Sequence, residues 1–93
     1  MQVVVQHKII DREKFAEADA GAIAGGAPSG EQLEQFLPAT DLSMAFCLWQ
    51  ADSIDALRVY LDPATAGITE NSYFEIDQPH AIGLPRAAEM RAS

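Results

Sequence analysis

The sequence predicts an α+β domain with the element order strand, helix, strand, strand, helix, strand. Its four strands form an antiparallel sheet and its two helices cover one face. Three observations carry this. The β-branched run Val3-Val4-Val5 opens the chain as a strand. Residues 45–61 read as a buried strand running straight into a helix. The breakers Gly25-Gly26, Pro38 and Pro63 divide the rest into segments of suitable length.

The first strand covers residues 2–10. Alternation puts Val3, Val5, His7 and Ile9 on one face and Gln2, Val4, Gln6 and Lys8 on the other. His7 is the polar exception on the apolar face. Asp11 caps a helix beginning at Arg12. In that helix Phe15, Ala18, Ala22 and Ile23 form an apolar stripe, and Glu13, Lys14, Glu17 and Asp19 are solvated. Gly25-Gly26 and Pro28-Ser29-Gly30 end it.

Residues 31–37 form a second strand, polar enough to lie at a sheet edge. Pro38-Ala39-Thr40-Asp41 turns the chain back into a third strand ending at Gln50. Its run Ala45-Phe46-Cys47-Leu48-Trp49 carries no charge, as suits a central strand. Asp52 is placed to cap the second helix and Asp55 adds a negative charge to its first turn. Ile54, Leu57 and Leu61 share one helix face, and Pro63 closes it. The fourth strand lies within residues 70–77, with Tyr73 and Glu75 on one face and Phe74 and Ile76 on the other. Residues 79–85 are extended but rich in breakers. The domain therefore spans residues 1–85, with a tail at 86–93. This order is the split β-α-β of ferredoxin-like domains.

The chain of 93 residues makes one domain, and its net charge of −8 disfavours nucleic acid and anionic membrane surfaces. The single cysteine, Cys47, excludes an intrachain disulfide. No signal-peptide pattern opens the chain, and no apolar run approaches the ~20 residues that cross a bilayer. A soluble cytoplasmic protein is expected. Helices on one sheet face leave the other open, and a second copy of the chain is the simplest cover, so a homodimer is expected.

Phe46-Cys47-Leu48-Trp49-Gln50-Ala51-Asp52-Ser53-Ile54-Asp55-Ala56-Leu57 resembles the strand-to-helix segment of the dimeric α+β barrel superfamily. More narrowly it is similar to the small uncharacterised nickel-binding-protein-like domains. There a cysteine and an aromatic alternate on the third strand, and Cys47 and Trp49 fall on those positions. The resemblance implies a ferredoxin-like fold paired as a dimeric barrel. The superfamily holds cofactor-free monooxygenases, isomerases, haem-handling proteins and binders of small ligands or metals. Val59-Tyr60 stands where a family histidine would be expected.

The side chains that could carry chemistry are His7, Cys47, Trp49, Tyr73 and Glu75. His7 can act as a base or ligand, because it titrates near neutral pH. Trp49 can wall an aromatic pocket, or simply pack. Tyr73, Glu75 and Asp77 share a strand face, whose carboxylates stand ~6–7 Å apart, or form a solvated edge. Cys47 can be a nucleophile if a histidine lies beside it, or a small buried hydrophobe. His80 lacks the further ligands that would make a metal site with His7. No phosphate loop, nucleophile elbow, Cys-x-x-Cys or His-Glu-x-x-His is present, so no cofactor is expected. These features favour a homodimer binding a small hydrophobic or aromatic molecule between sheet and helices. An enzyme of this kind would be a cofactor-independent monooxygenase or isomerase. The alternatives are a nickel- or transition-metal-binding stress protein and a dimerisation module without ligand.

Overall fold

The computed structural model describes residues 1–85 and runs β1 (Gln2–Ile9), α1 (Arg12–Glu17), α2 (Ala20–Gly25), β2 (Gln32–Pro38), β3 (Met44–Gln50), α3 (Ile54–Ala64) and β4 (Thr69–Glu75), followed by a 3-10 turn at Gln78–His80. The tail expected at 86–93 lies outside the described residues. The four strands form one sheet in the order β2-β3-β1-β4, every neighbouring pair antiparallel. Each helical connection therefore passes over a strand. α1 and α2 carry the chain from β1 across β3 to β2, and α3 carries it from β3 across β1 to β4.

The register fixes the two faces, because directly paired residues point the same way. Trp49, Val3 and Glu75 form one row, Cys47, Val5 and Tyr73 the next, and Ala45, His7 and Asn71 the third. This is the face that the helices cover. Val3, Val5, Cys47, Trp49 and Ala51 pack there with Leu57 and Leu61 of α3, and Ile23 and Ala24 of α2 add partly buried surface. Burying side chains of this size contributes about 1.5–3 kcal/mol each.

Several local expectations need correction. Among the described residues there are three α-helices, not two, because the first breaks at Ala18, whose backbone is extended (ψ 135°). The cause is Asp19. Instead of lying solvated on a continuous helix, its carboxylate accepts the Ala22 N–H and caps a new one. The cap of α3 is Ser53, whose Oγ accepts the Ala56 N–H at 3.0 Å, and not Asp52. Asp52 instead leans over Gly30, which turns at φ +100°, and leaves no room for a side chain there.

Pro63 does not stop α3, which continues to Ala64. The carbonyl left without its i+4 donor is that of Val59, a residue 75% exposed, where water can serve it. The fourth strand begins at Thr69 and ends at Glu75. Among residues 79–85 there is no strand.

β2 is an edge strand, as expected, but shifted by one residue and broken by a bulge. Leu33 pairs with Trp49 and Gln35 with Leu48, so Glu34 is the extra residue. Because of it Leu33 and Phe36, three apart, both meet the core side of the sheet.

Candidate functional site

α1 and α2 have no buried residue of their own and roof the sheet loosely. Phe15 of α1 reaches Phe36 of β2, ring centroids 6.2 Å apart. The Tyr60 hydroxyl of α3 donates to the Ile23 carbonyl of α2 at 2.5 Å. Beneath this roof lies a cavity of about 290 Å³ with an almost wholly apolar lining, to which Phe15, Ile23, Leu33, Phe36 and Leu61 contribute. Leu42 also lines it, from the β2–β3 turn. Its backbone is held in the left-handed region, φ 56°, while Asp41 takes both the N–H and the hydroxyl of Ser43. A leucine in that conformation costs roughly 1–2 kcal/mol.

The polar atoms of the cavity wall are gathered at one place. β1 brings His7 and β3 brings Cys47 and Trp49 to it. His7 Nε2 lies 3.1 Å from Cys47 Sγ, and His7 Nδ1 lies 2.6 Å from Asn71 Oδ1 on β4. Asn71 Nδ2 donates to Asp62 Oδ1 at 3.0 Å and to Thr65 Oγ1 at 2.9 Å, and Asn71 Oδ1 also accepts from Thr69 Oγ1 at 2.7 Å.

These contacts assign the protons. The Asp62 carboxylate only accepts, so the amide nitrogen of Asn71 must face it and the amide oxygen must face His7. That oxygen requires the proton of His7 on Nδ1. Nε2 then presents a lone pair, and the Cys47 thiol donates to it.

Burial governs the charges of this pair. It pushes the Cys47 thiol up to about 12 and pulls His7 below its ordinary value, the latter opposed by the Asn71 hydrogen bond and the Asp62 charge. Both groups are therefore neutral near pH 7. The Trp49 indole favours a thiolate slightly, but from a geometry too poor for a hydrogen bond, so its Nε1–H is buried without a partner among the described residues.

Of the five residues singled out from the sequence, His7, Cys47 and Trp49 thus share the cavity. Tyr73 and Glu75 occupy the same sheet face but not the cavity wall. Tyr73 is half-buried beside α3, donates to Asp62 at 2.6 Å and carries the Arg58 guanidinium over its ring at 5.2 Å. Burial and Asp62 push its hydroxyl well above the usual tyrosine range. Glu75 is exposed at the end of β4.

His80 pairs with Asp77 at the surface (2.8 Å), away from His7's partners. Among the described residues no three His, Cys, Asp or Glu side chains converge as metal ligands. No helix is long and apolar enough to cross a membrane among the same residues. Sequence reasoning missed Asn71. Carrying the alternation of Tyr73 and Glu75 two residues back places it on their face, but its position opposite His7 depends on the β1–β4 register. The sequence matches no protein-family model, and no curated protein is similar to it.

Proposed function

We propose that the protein binds a small hydrophobic molecule carrying one hydrogen-bond acceptor, in the cavity between the sheet and α1–α2. The observation that carries this is the apolar cavity whose wall brings His7, Cys47 and Trp49 together, the Trp49 Nε1–H having no partner among the described residues. A cavity of roughly 150 Å³ holds benzene, so about twice that accepts on the order of ten to twelve non-hydrogen atoms. A monooxygenase or isomerase without a cofactor would need His7 Nε2 free to take a substrate proton. That nitrogen is occupied by the Cys47 thiol, which favours binding over either chemistry. A metal-binding reading gains no set of donors among the described residues, and a pure dimerisation module gives no reason for the cavity.

The same proposal places the chain in the ferredoxin-like class, as a homodimer of the dimeric α+β barrel kind. The two split β-α-β connections support the class. The sheet face away from the helices supports the pairing, because Leu37, Phe46 and Phe74 are exposed on it. Sedimentation equilibrium is expected to give twice the chain mass, and a monomer would remove this half of the proposal.

Trp49 is the only tryptophan and lies on the cavity wall, so its fluorescence reads occupancy directly. Titration with a medium-chain alkyl ketone is expected to change its emission saturably, in the micromolar to low-millimolar range. Ala20→Phe, which fills the cavity from α2, is expected to abolish the response while the circular dichroism is unchanged. A wild-type response that is linear, or that survives Ala20→Phe, would overturn the binding proposal.

A further inference from the structure

We propose that Cys47, His7 and Asn71 form a nucleophile, base and orienting group that accept an acyl group from a small ester or thioester of an apolar acid. This rests on the binding proposal above and adds a reaction to it. The three side chains stand in series, Sγ to Nε2 at 3.1 Å and Nδ1 to Oδ1 at 2.6 Å, the arrangement by which a thiol is activated by an oriented imidazole. The hydrogen-bond directions fixed by Asp62 put the imidazole in the one tautomer that can take the thiol proton. The nucleophile opens onto an apolar cavity that suits an acyl chain and is too small for a polymer. Trp49 lines the same cavity, and its Nε1–H, buried without a partner among the described residues, is assigned to the carbonyl oxygen as it becomes negative, which requires the indole to turn toward the cavity.

The step balances without a further reactant. The Cys47 proton passes to His7 Nε2 as Sγ adds to the carbonyl carbon. The carbonyl electron pair returns, the bond to the alcohol or thiol breaks, and His7 gives that leaving group its proton. Water then reverses the sequence. It loses a proton to His7, adds to the thioester carbon, and the proton returns to Sγ as the acid leaves. Burial of the thiol keeps the resting pair neutral, so Cys47 is quiet until a carbonyl is seated against it.

Para-nitrophenyl hexanoate, whose hexanoyl group fits the cavity while its nitrophenyl leaving group stays outside it, is the probe, read by intact-protein mass and by nitrophenolate release. The wild type is expected to gain one hexanoyl group per chain on Cys47, with a matching burst of nitrophenolate. Cys47→Ala should gain none, and His7→Gln should acylate at least about 100-fold more slowly. Asn71 is a positioning residue. Asn71→Ala should lower the acylation rate at saturating ester while leaving the half-saturating concentration unchanged. A wild type that binds the alkyl ketone but never acquires the acyl group would overturn the triad and leave the binding proposal intact. Failure of both would overturn both. Acylation at the same rate in His7→Gln would also overturn the triad, by reducing Cys47 to an accessible thiol.

Discussion

Leu57→Ala is expected to remove about 2–5 kcal/mol of folding stability. Leu57 is 0% exposed and sits where α3 crosses β1, among Val3, Val5 and Trp49. Truncation forfeits the transfer of the side chain from water and leaves a void that a sheet, paired on both sides of β1, cannot close. A domain of this size has a total stability of roughly 5–14 kcal/mol. The variant should therefore lie close to unfolding, with a much lower urea midpoint and an unchanged slope. Val59→Ala, two residues along the same helix but 75% exposed, should stay within about 0.5 kcal/mol of the parent. Equal midpoints for the two variants would mean that α3 does not rest on the sheet through Leu57.

The second large effect is a stability that falls on both sides of neutral pH because of one buried pair. His7 has a lowered affinity for protons in the folded state, so the unfolded chain binds more protons as the pH drops below its ordinary value of 6.5. Stability is thus complete above 6.5 and is lost as the pH falls toward the lower folded value. Cys47 works in the opposite direction. Its folded thiol holds its proton to about 12 whereas the unfolded thiol releases it near 9.0, so stability declines as the pH rises between these values. Each group contributes a slope of up to about 1.4 kcal/mol per pH unit. Tyr73, also raised, steepens the alkaline side above its ordinary value of 10.0.

Urea unfolding across the pH range is expected to give a plateau between about 6.5 and 9. His7→Gln should flatten the acid limb only, and Cys47→Ala should reduce the alkaline limb only. Limbs that both survive these substitutions would place the titration elsewhere.

What could be read from the residues was whatever depends on local period and chemistry. The alternation of Val3, Val5, His7 and Ile9 put the covered face in the right place, and the spacing of Ile54, Leu57 and Leu61 found the packed helix. His7, Cys47 and Trp49 could each be picked out as unusual on a strand. Features set by pairing were hidden. The Glu34 bulge, which lets Leu33 and Phe36 share a face, exists only against the register of β3. Asn71 matters because it lies opposite His7, a fact of β1–β4 pairing. The break at Ala18 was within reach, since aspartate prefers a cap to a helix interior. The competing alanine-rich stripe masked it. Tyr73 and Glu75 show the limit of strand alternation. It names the face a side chain points to, not how far along the sheet the helices cover it.

The two short helices above the cavity have no residue sunk in the core and are tied to α3 through Tyr60. A sequence change there at a position such as Ala16 or Ala20, outside the contacts of Phe15, Ile23 and Ala24, leaves the rows of the sheet undisturbed. The part of the molecule that the binding proposal makes responsible for fit is thus free to diverge, while the part that keeps the chain folded is held in place by its neighbours. If the proposed binding holds, selection acting on this chain can exchange one ligand for another through Ala16 or Ala20, which line the cavity outside the core cluster, without first compensating for a loss of stability. Descendants would share a scaffold and a thiol–imidazole pair long after their preferences had parted.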